Sequence, residues 1–370
     1  MIEIIYIILS FFVLYSILIV SSNLSWVQFG SIKSHSKNLS ILIPARNEEK
    51  NIKSCIDSII STNKNFNEIL VYDDHSTDST SEEIKKIIQT NRKVKLAKTH
   101  KLEKGWTGKS FACYQLAKQS ASEWILFIDA DTIIKQELSQ LIDYSKENKL
   151  TMVSAWPKIE MQSIVEKIFM PLLNFIVFTT CPMLISKKSN SDNLGLAHGA
   201  CILFKKETYF KLGGHDLVKN DLFEDTRLAR IFRQKGENTY CINGSKIISV
   251  KMYDSFKSIW NGFKKNYYPG FSKDSSFFFF QSIFIISYFI APIIYTSSII
   301  LNFHENLSAI LLSINFIPII LINIKFKYNF LSIFTHPFGI LTMFLLGISS
   351  WKNMKFGKGL DWKDRTYEKS

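Results

Sequence analysis

Two carboxylates one residue apart, Asp129 and Asp131, close the apolar run Trp124-Ile125-Leu126-Phe127-Ile128. A run apolar on both faces reads as a buried parallel strand. At its carboxyl end the chain leaves the sheet, which is where open α/β sheets bind ligands. Two acids held there repel each other unless a cation lies between them. A divalent ion bridging to a diphosphate resolves that repulsion. D-x-D alone is a common pattern, but two further polar clusters accompany it. Pro44-Ala45-Arg46-Asn47-Glu48-Glu49 follows the β run Ser40–Pro44, and Asp73-Asp74-His75-Ser76-Thr77-Asp78 follows Glu68–Tyr72. Any one of these would pass for a helix cap or a solvated turn. Three at the same edge of one sheet point to a shared polar site.

The elements that must carry these loops alternate. Helical spacing covers Glu48–Ser61, Asp78–Gln89 and Ser110–Ser120, and short β runs cover Lys93–Ala97 and Trp124–Ile128. Strands alternating with helices argue for a parallel, doubly wound sheet. Gly105-Trp106-Thr107-Gly108-Lys109-Ser110 hints at a phosphate loop through its G-K-S. That loop requires Gly at position 103, which is Glu103, so the Walker reading fails. Glu224-Asp225 opens the amphipathic stretch Thr226–Phe232, where acids favoured by the helix dipole are the plain reading.

Composition adds a membrane. The chain of 370 residues is 46% apolar and carries 30 Phe. Its 45 Lys and Arg against 32 Asp and Glu give a net charge of +13. A basic excess suits either nucleic acid or an anionic membrane face. The apolar segments favour the membrane, and no zinc spacing or nucleic-acid-binding signature accompanies the charge. Five scattered cysteines without a C-x-x-C pair read as reduced structural thiols.

Ile4–Val20 is an uninterrupted apolar run and reads as an uncleaved anchor. Lys33 and Lys37 after it place the next domain in the cytosol. Three more spans are expected at about Phe277–Leu301, Leu307–Ile324 and Phe330–Ser350. A full crossing by the last of these, the fourth span of the chain, would leave the basic tail outside. His336-Pro337-Phe338-Gly339 interrupts that span in its middle, so a re-entrant hairpin is expected. Ile168–Ile185, broken by Pro171 and Pro182, reads as an interfacial helix. Aromatics and lysines over Tyr253–Phe271 suit a second interfacial segment. The expected division is an anchor at 1–22, a catalytic domain at 38–250, an interfacial segment at 251–276, membrane helices at 277–350 and a basic tail at 351–370.

Over roughly Leu39–Tyr268 the sequence resembles glycosyltransferase family 2. Ile41-Leu42-Ile43-Pro44-Ala45-Arg46-Asn47-Glu48 is similar to that family's first strand and nucleotide loop. Val71-Tyr72-Asp73-Asp74-His75-Ser76-Thr77-Asp78 is similar to its second, with His75 where members usually carry Gly. The resemblance implies a GT-A fold, an α/β, Rossmann-like mixed sheet, and a UDP-sugar donor. It also implies roles. Pro44, Arg46, Glu48 and Asp73 bind the donor, and Asp74 reads the uracil. Asp131 holds Mg2+ or Mn2+, while Asp129 reaches the metal or the ribose. Gly105–Lys109 resembles the G-W-x-G-K element of a lipid-modifying subgroup, which puts Lys109 and the helix start after it on the donor diphosphate. Glu224-Asp225 resembles the family's E-D motif, with Asp225 as general base and Glu224 as second choice. Gly199 and Ala200 in His198-Gly199-Ala200-Cys201, with Gly214 and His215, fall on the acceptor side.

The Q-x-x-R-W signature of processive synthases is absent, which favours transfer of a single sugar. The G-W-T-G-K-S-F-A-C-Y-Q run, the His-Pro of the last span and the tail Trp362–Tyr367 resemble a subgroup that glucosylates C30 carotenoid acids. That resemblance implies glucose from UDP-glucose, 4,4'-diaponeurosporenoate as acceptor, the bilayer as setting and other carotenoid-pathway enzymes as partners. A hopanoid, a diacylglycerol or a polyprenyl phosphate are the alternative acceptors. A non-catalytic membrane scaffold is the alternative of another class.

Overall fold

The computed structural model describes residues 2–26, 36, 38–253, 255–271, 273–357, 360–362 and 365–367. Strands β1 (Leu39–Ala45), β2 (Glu68–Asp73) and β4 (Trp124–Ile128) are buried almost throughout, as strands covered on both faces must be. The short β3 (Val94–Leu96) forms the edge. Helices α2 (Ile52–Thr62), α3 (Thr80–Thr90) and α4 (Gly108–Gln119) connect them. α2 buries Ile52, Cys55, Ile56 and Ile59, a stripe at helical spacing.

The larger sheet has seven strands in the order β3-β2-β1-β4-β8-β6-β9. Here β6 is Met152–Trp156, β8 Cys201–Lys205 and β9 Thr239–Asn243. β1, β2, β3 and β4 pair in parallel, and their alternation with helices is what the sequence led us to expect. β8 runs antiparallel to both of its neighbours, which makes the sheet mixed. A second sheet, β5-β10-β7, joins Thr132–Ile134, Ile248–Val250 and Lys158–Ile159. The chain winds one way from β1 and returns on its other side at β4. The carboxyl ends of β1, β2 and β4 therefore share the edge at this switch point.

Helix starts differ from the sequence reading for local reasons. α2 begins at Ile52 rather than Glu48, because Asn47 is left-handed (φ 53) and the Glu48 N–H is bonded to Thr80 Oγ1 at 2.7 Å. α3 begins at Thr80 rather than Asp78, because Asp78 Oδ1 accepts from both Thr80 N and Thr80 Oγ1. α4 begins two residues early, at Gly108, capped by Thr107. The expected interfacial helix Ile168–Ile185 is instead part of three short helices: α6 (Ile164–Phe169), α7 (Pro171–Thr180) and α8 (Met183–Lys188). α7 buries Phe175 and Phe178 completely.

α1 (Ile2–Leu24) is pinned to this region. Asn23 Nδ2 donates to the carbonyls of Phe178 and Cys181, and Trp26 Nε1 donates to the Cys241 carbonyl in β9 at 2.8 Å. α12 (Asp274–Ile285) passes through a π turn, Ile286–Ile290, into α13 (Ala291–Ile300), and the wide turn precedes Pro292. The composite Asp274–Ile300 and α14 (Glu305–Phe326) are long and apolar enough to cross a membrane; among the described residues they are two such helices, against the four spans expected. Tyr6 bonds Ser298 at 2.6 Å at one end of the bundle, and Lys325 Nζ donates to the Leu24 carbonyl at the other.

After α14, the turn α15 (Leu331–Phe334) leads into α16 (His336–Phe356). His336-Pro337 starts this helix rather than splitting it in the middle. His336 packs on Phe175 and Tyr288, Trp351 on Phe278, and Lys355 pairs with Asp274 at 3.1 Å. α16 therefore runs antiparallel beside the first half of the composite helix and ends level with its start. The tail forms a small hairpin, Leu360–Trp362 against Arg365–Tyr367. Lys33, Lys37, Lys358, Lys363 and Ser370 lie outside the described residues.

Candidate active site

The first two loops are laced to one another. Arg46 Nη1 donates to the Asp74 carbonyl at 2.7 Å and the His75 carbonyl at 3.1 Å. Asn47 N–H donates to Ser76 Oγ, and Asn47 Oδ1 accepts from Thr77 N–H. Asp73 Oδ1 accepts from Ser76 N–H at 3.0 Å, so this carboxylate shapes the turn. Asp74 is buried and its N–H donates to the Ala45 carbonyl. Glu48 accepts from Asn51 Nδ2 at 2.8 Å, and Pro44 sits half-buried at the end of β1. His75 occupies a left-handed position (φ 54), the geometry that glycine takes most easily.

A denser cluster forms where β4, α4, α10 (Glu224–Gln234) and the strand lead-in at Gly199 converge. Lys109 Nζ sits between Asp129 Oδ1 at 2.8 Å and Glu224 Oε1 at 3.0 Å. Gly199 N–H donates to Asp225 Oδ2 at 2.8 Å, and Thr226 N–H to Asp225 Oδ1 at 2.6 Å. A Cβ on Gly199 would lie 2.8 Å from Lys109 Nζ, 3.1 Å from Asp129 Oδ2 and 3.6 Å from Asp225 Oδ2. Only glycine leaves that centre open. Five of the residues singled out in sequence, Lys109, Asp129, Gly199, Glu224 and Asp225, from four separate segments, thus share one space of a few ångströms.

The cluster sets its own charge states. Burial, and then the neighbouring Glu224 charge, push the Asp225 carboxyl up to about 7, against the pull of Lys109 and two backbone N–H groups. Lys109 is held above its ordinary range, because the charges of Asp129 and Glu224 outweigh a large burial penalty. His198 backs the site edge-on to Trp156, its Nδ1 accepting from Ala200 N–H, and burial lowers its ring to about 4, so it is neutral.

Three expectations about single residues change. His215 is buried, with Nδ1 bonded to Tyr209 Oη at 2.7 Å and its ring on the edge of Phe127. It lies inside the core and offers no ring to an acceptor. Gly214 (φ 57) is there because a Cβ would strike the Tyr209 ring. Lys109, expected with the helix start on the donor diphosphate, has its ammonium paired with Asp129 and Glu224.

Two residues were missed in sequence. Lys265 lies on α11 (Phe256–Asn266), within charge range of Glu224, Lys109, Asp129 and Asp225, and burial pushes its ammonium down to about 8. Tyr253 packs under Gly262 of the same helix, and burial together with the Asp131 charge raises its hydroxyl to about 12. The lysine-aromatic pattern of this segment was read as membrane contact, and only the fold turns these two inward.

Asp129 and Asp131 fit a divalent ion as a partial set. Asp129 pairs with Lys109, and Asp131 is a half-buried carboxylate two residues on. No cluster of three or more ligating side chains is found among the described residues. Mg2+ and Mn2+ are commonly held by one or two carboxylates and completed by substrate phosphates, which this donor set permits.

The glycosyl transferase family 2 model matches residues 40–213, from β1 to Gly213. Over these residues the chain is similar to glycosyl transferase family 2. The chain is also similar to the 4,4'-diaponeurosporenoate glycosyltransferase of Staphylococcus haemolyticus, 26% identical over 62% of this chain and 61% of that protein. The same-named protein of Staphylococcus aureus USA300 is 26% identical over 65% of this chain and 63% of its own. The match thus spans somewhat over three-fifths of each relative. Among solved structures, the mannosyltransferase PcManGT from Pyrobaculum calidifontis, in complex with GDP-Man and Mn2+, aligns with a TM-score of 0.53 at 14% identity. That alignment covers 96% of this chain and 99% of PcManGT, and it supports the GT-A-like mixed sheet.

Proposed function

We propose that the protein is a membrane-seated inverting glycosyltransferase that moves one glucose from UDP-glucose to a lipid, a C30 carotenoid acid such as 4,4'-diaponeurosporenoate. The observation that carries this reading is the Gly199-centred cluster, where Asp225 stands 2.8 Å from the Gly199 N–H beside the Lys109–Asp129–Glu224 set. The β1 and β2 loops, with Asp74, Arg46 and Glu48, take the uridine. Asp131, with Asp129, would hold a divalent ion, which when bound offsets diphosphate charge and stabilises the leaving UDP. Lys109 and Lys265 add positive charge on the same side. The acceptor oxygen attacks the anomeric carbon, the bond from that carbon to UDP breaks, and a glucolipid and UDP result. The curated relatives' names supply the acceptor class. α1, the composite helix and α14 form the membrane seat, with the family 2-like domain cytosolic and the tail returned to the same side by α16.

One observation favours a second acceptor class. A carotenoid acid arrives ionised and has no proton to give up, whereas Asp225 near neutrality suits removal of a proton from a hydroxyl. A lipid alcohol, such as a hopanoid, is the alternative this carboxylate supports. Membranes carrying the protein, given labelled UDP-glucose and the C30 acid, separate the two. A base-labile glucolipid is the expected product; label in a base-stable lipid moves the acceptor to an alcohol.

A further inference from the structure

Lys264 of α11 and the last three turns of α16, Leu345 to Phe356, line an open groove of about 500 Å³. Ser350 Oγ fixes the two helices together, donating to the Lys264 carbonyl at 2.6 Å and accepting from Tyr268 N–H at 3.1 Å. Leu345, Ile348 and Phe356 form its apolar wall, and Phe356 is 77% exposed. Lys264 and Lys352 stand on the polar rim, with Ser349 and Asn353. Neither lysine has an acid partner among the described residues. The next lysine along, Lys355, is neutralised by Asp274 at 3.1 Å, and Tyr268 Oη bonds the same carboxylate. Asp274 also starts the composite apolar helix, so the rim lies level with the point where an apolar span begins.

Two unpaired cations over an exposed apolar wall, at the start of a membrane-length helix, complement one occupant: the phosphate and upper acyl chain of an anionic phospholipid. We propose that this groove is a binding site for an anionic phospholipid, which clamps α11 to α16 and so steadies the helix that carries Lys265 into the active site. The site is separate from the glycosyl-transfer site and rests on the membrane seat proposed above, not on the transfer reaction.

The test reads lipid binding alone, so it is independent of the sugar or the acceptor. The full-length protein in detergent is offered equal phosphatidylglycerol and phosphatidylcholine of the same acyl chains, and retained lipid is counted by native mass spectrometry. Each lysine at a membrane surface favours an anionic lipid by about fivefold, so wild type should retain at least about fivefold more phosphatidylglycerol. Lys264→Gln/Lys352→Gln should lose that excess, while Lys118→Gln, remote on α4, should keep it. If the double variant fails to fold, Lys352→Gln alone, an exposed position, should lower the excess severalfold. Equal retention of the two lipids by wild type, or an undiminished excess in the folded variants, would overturn the proposal. So would loss of the excess when millimolar glycerol phosphate is added, since that identifies a free-phosphate site.

Discussion

Asp225 is the residue at which charge, burial and chemistry meet. Its carboxyl, ordinarily near 3.8, is raised to about 7 by burial and by Glu224, with Lys109, Asp129 and Lys265 around it. With a hydroxyl acceptor, transfer should rise with pH through about 7 as the base ionises, and Asp225→Asn should cost about 10²- to 10⁴-fold. With a carotenoid acid the same profile should lack that rise and the variant should cost far less; initial rates between pH 5.5 and 8.5 decide it. The raised value also lowers stability. Between its unfolded and folded values the native state holds a proton that the unfolded chain has released, so stability falls as pH rises through that window. Asp225→Asn should accordingly melt higher than wild type at pH 8 and alongside it near pH 4. Gly199→Ala places a methyl 2.8 Å from Lys109 Nζ and should cost at least about tenfold in transfer with little change in melting, since Lys109 can give way but its ion pairs cannot hold.

At the scale of elements, the sequence made most of the donor half legible. Apolar runs ended by polar clusters located β1, β2 and β4, because a strand buried on both faces has a simple pattern. The antiparallel β8 was not legible, since its five residues, Cys201–Lys205, carry no signal of direction. Helix starts slipped by a few residues wherever a side chain from the neighbouring loop claimed the first N–H groups, as Thr80 Oγ1 does at Glu48. His215 could not be separated from an acceptor ligand because its partner, Tyr209, is known only from the fold. α11 was read as facing a membrane, yet one face turns Lys265 and Gly262 towards the site. Gly262→Val should push Tyr253 away from this helix, destabilising the protein by about 1–3 kcal/mol and lowering transfer through displacement of Lys265. Thermal melting and transfer rates on the same preparation check both.

For the whole molecule, the proposed function requires that a water-soluble donor meet a lipid-dissolved acceptor. The switch-point edge of the mixed sheet holds the polar loops, and α11 lies between that edge and the apolar helices. α16 ends level with Asp274, so the proposed membrane seat would put the basic tail on the same side as residues 40–213. A cysteine placed at Ser370 should then react with an impermeant reagent only after the membrane is opened from the cytosolic side. The most direct measurement is of transfer itself, read as labelled glucose passing from UDP-glucose into membrane lipid. Wild type should label lipid, and Asp131→Ala/Asp225→Ala, shown to be folded, should stay at background. Labelling by that double variant at the wild-type level would contradict the catalytic cluster and return the family 2-like domain to the role of a scaffold.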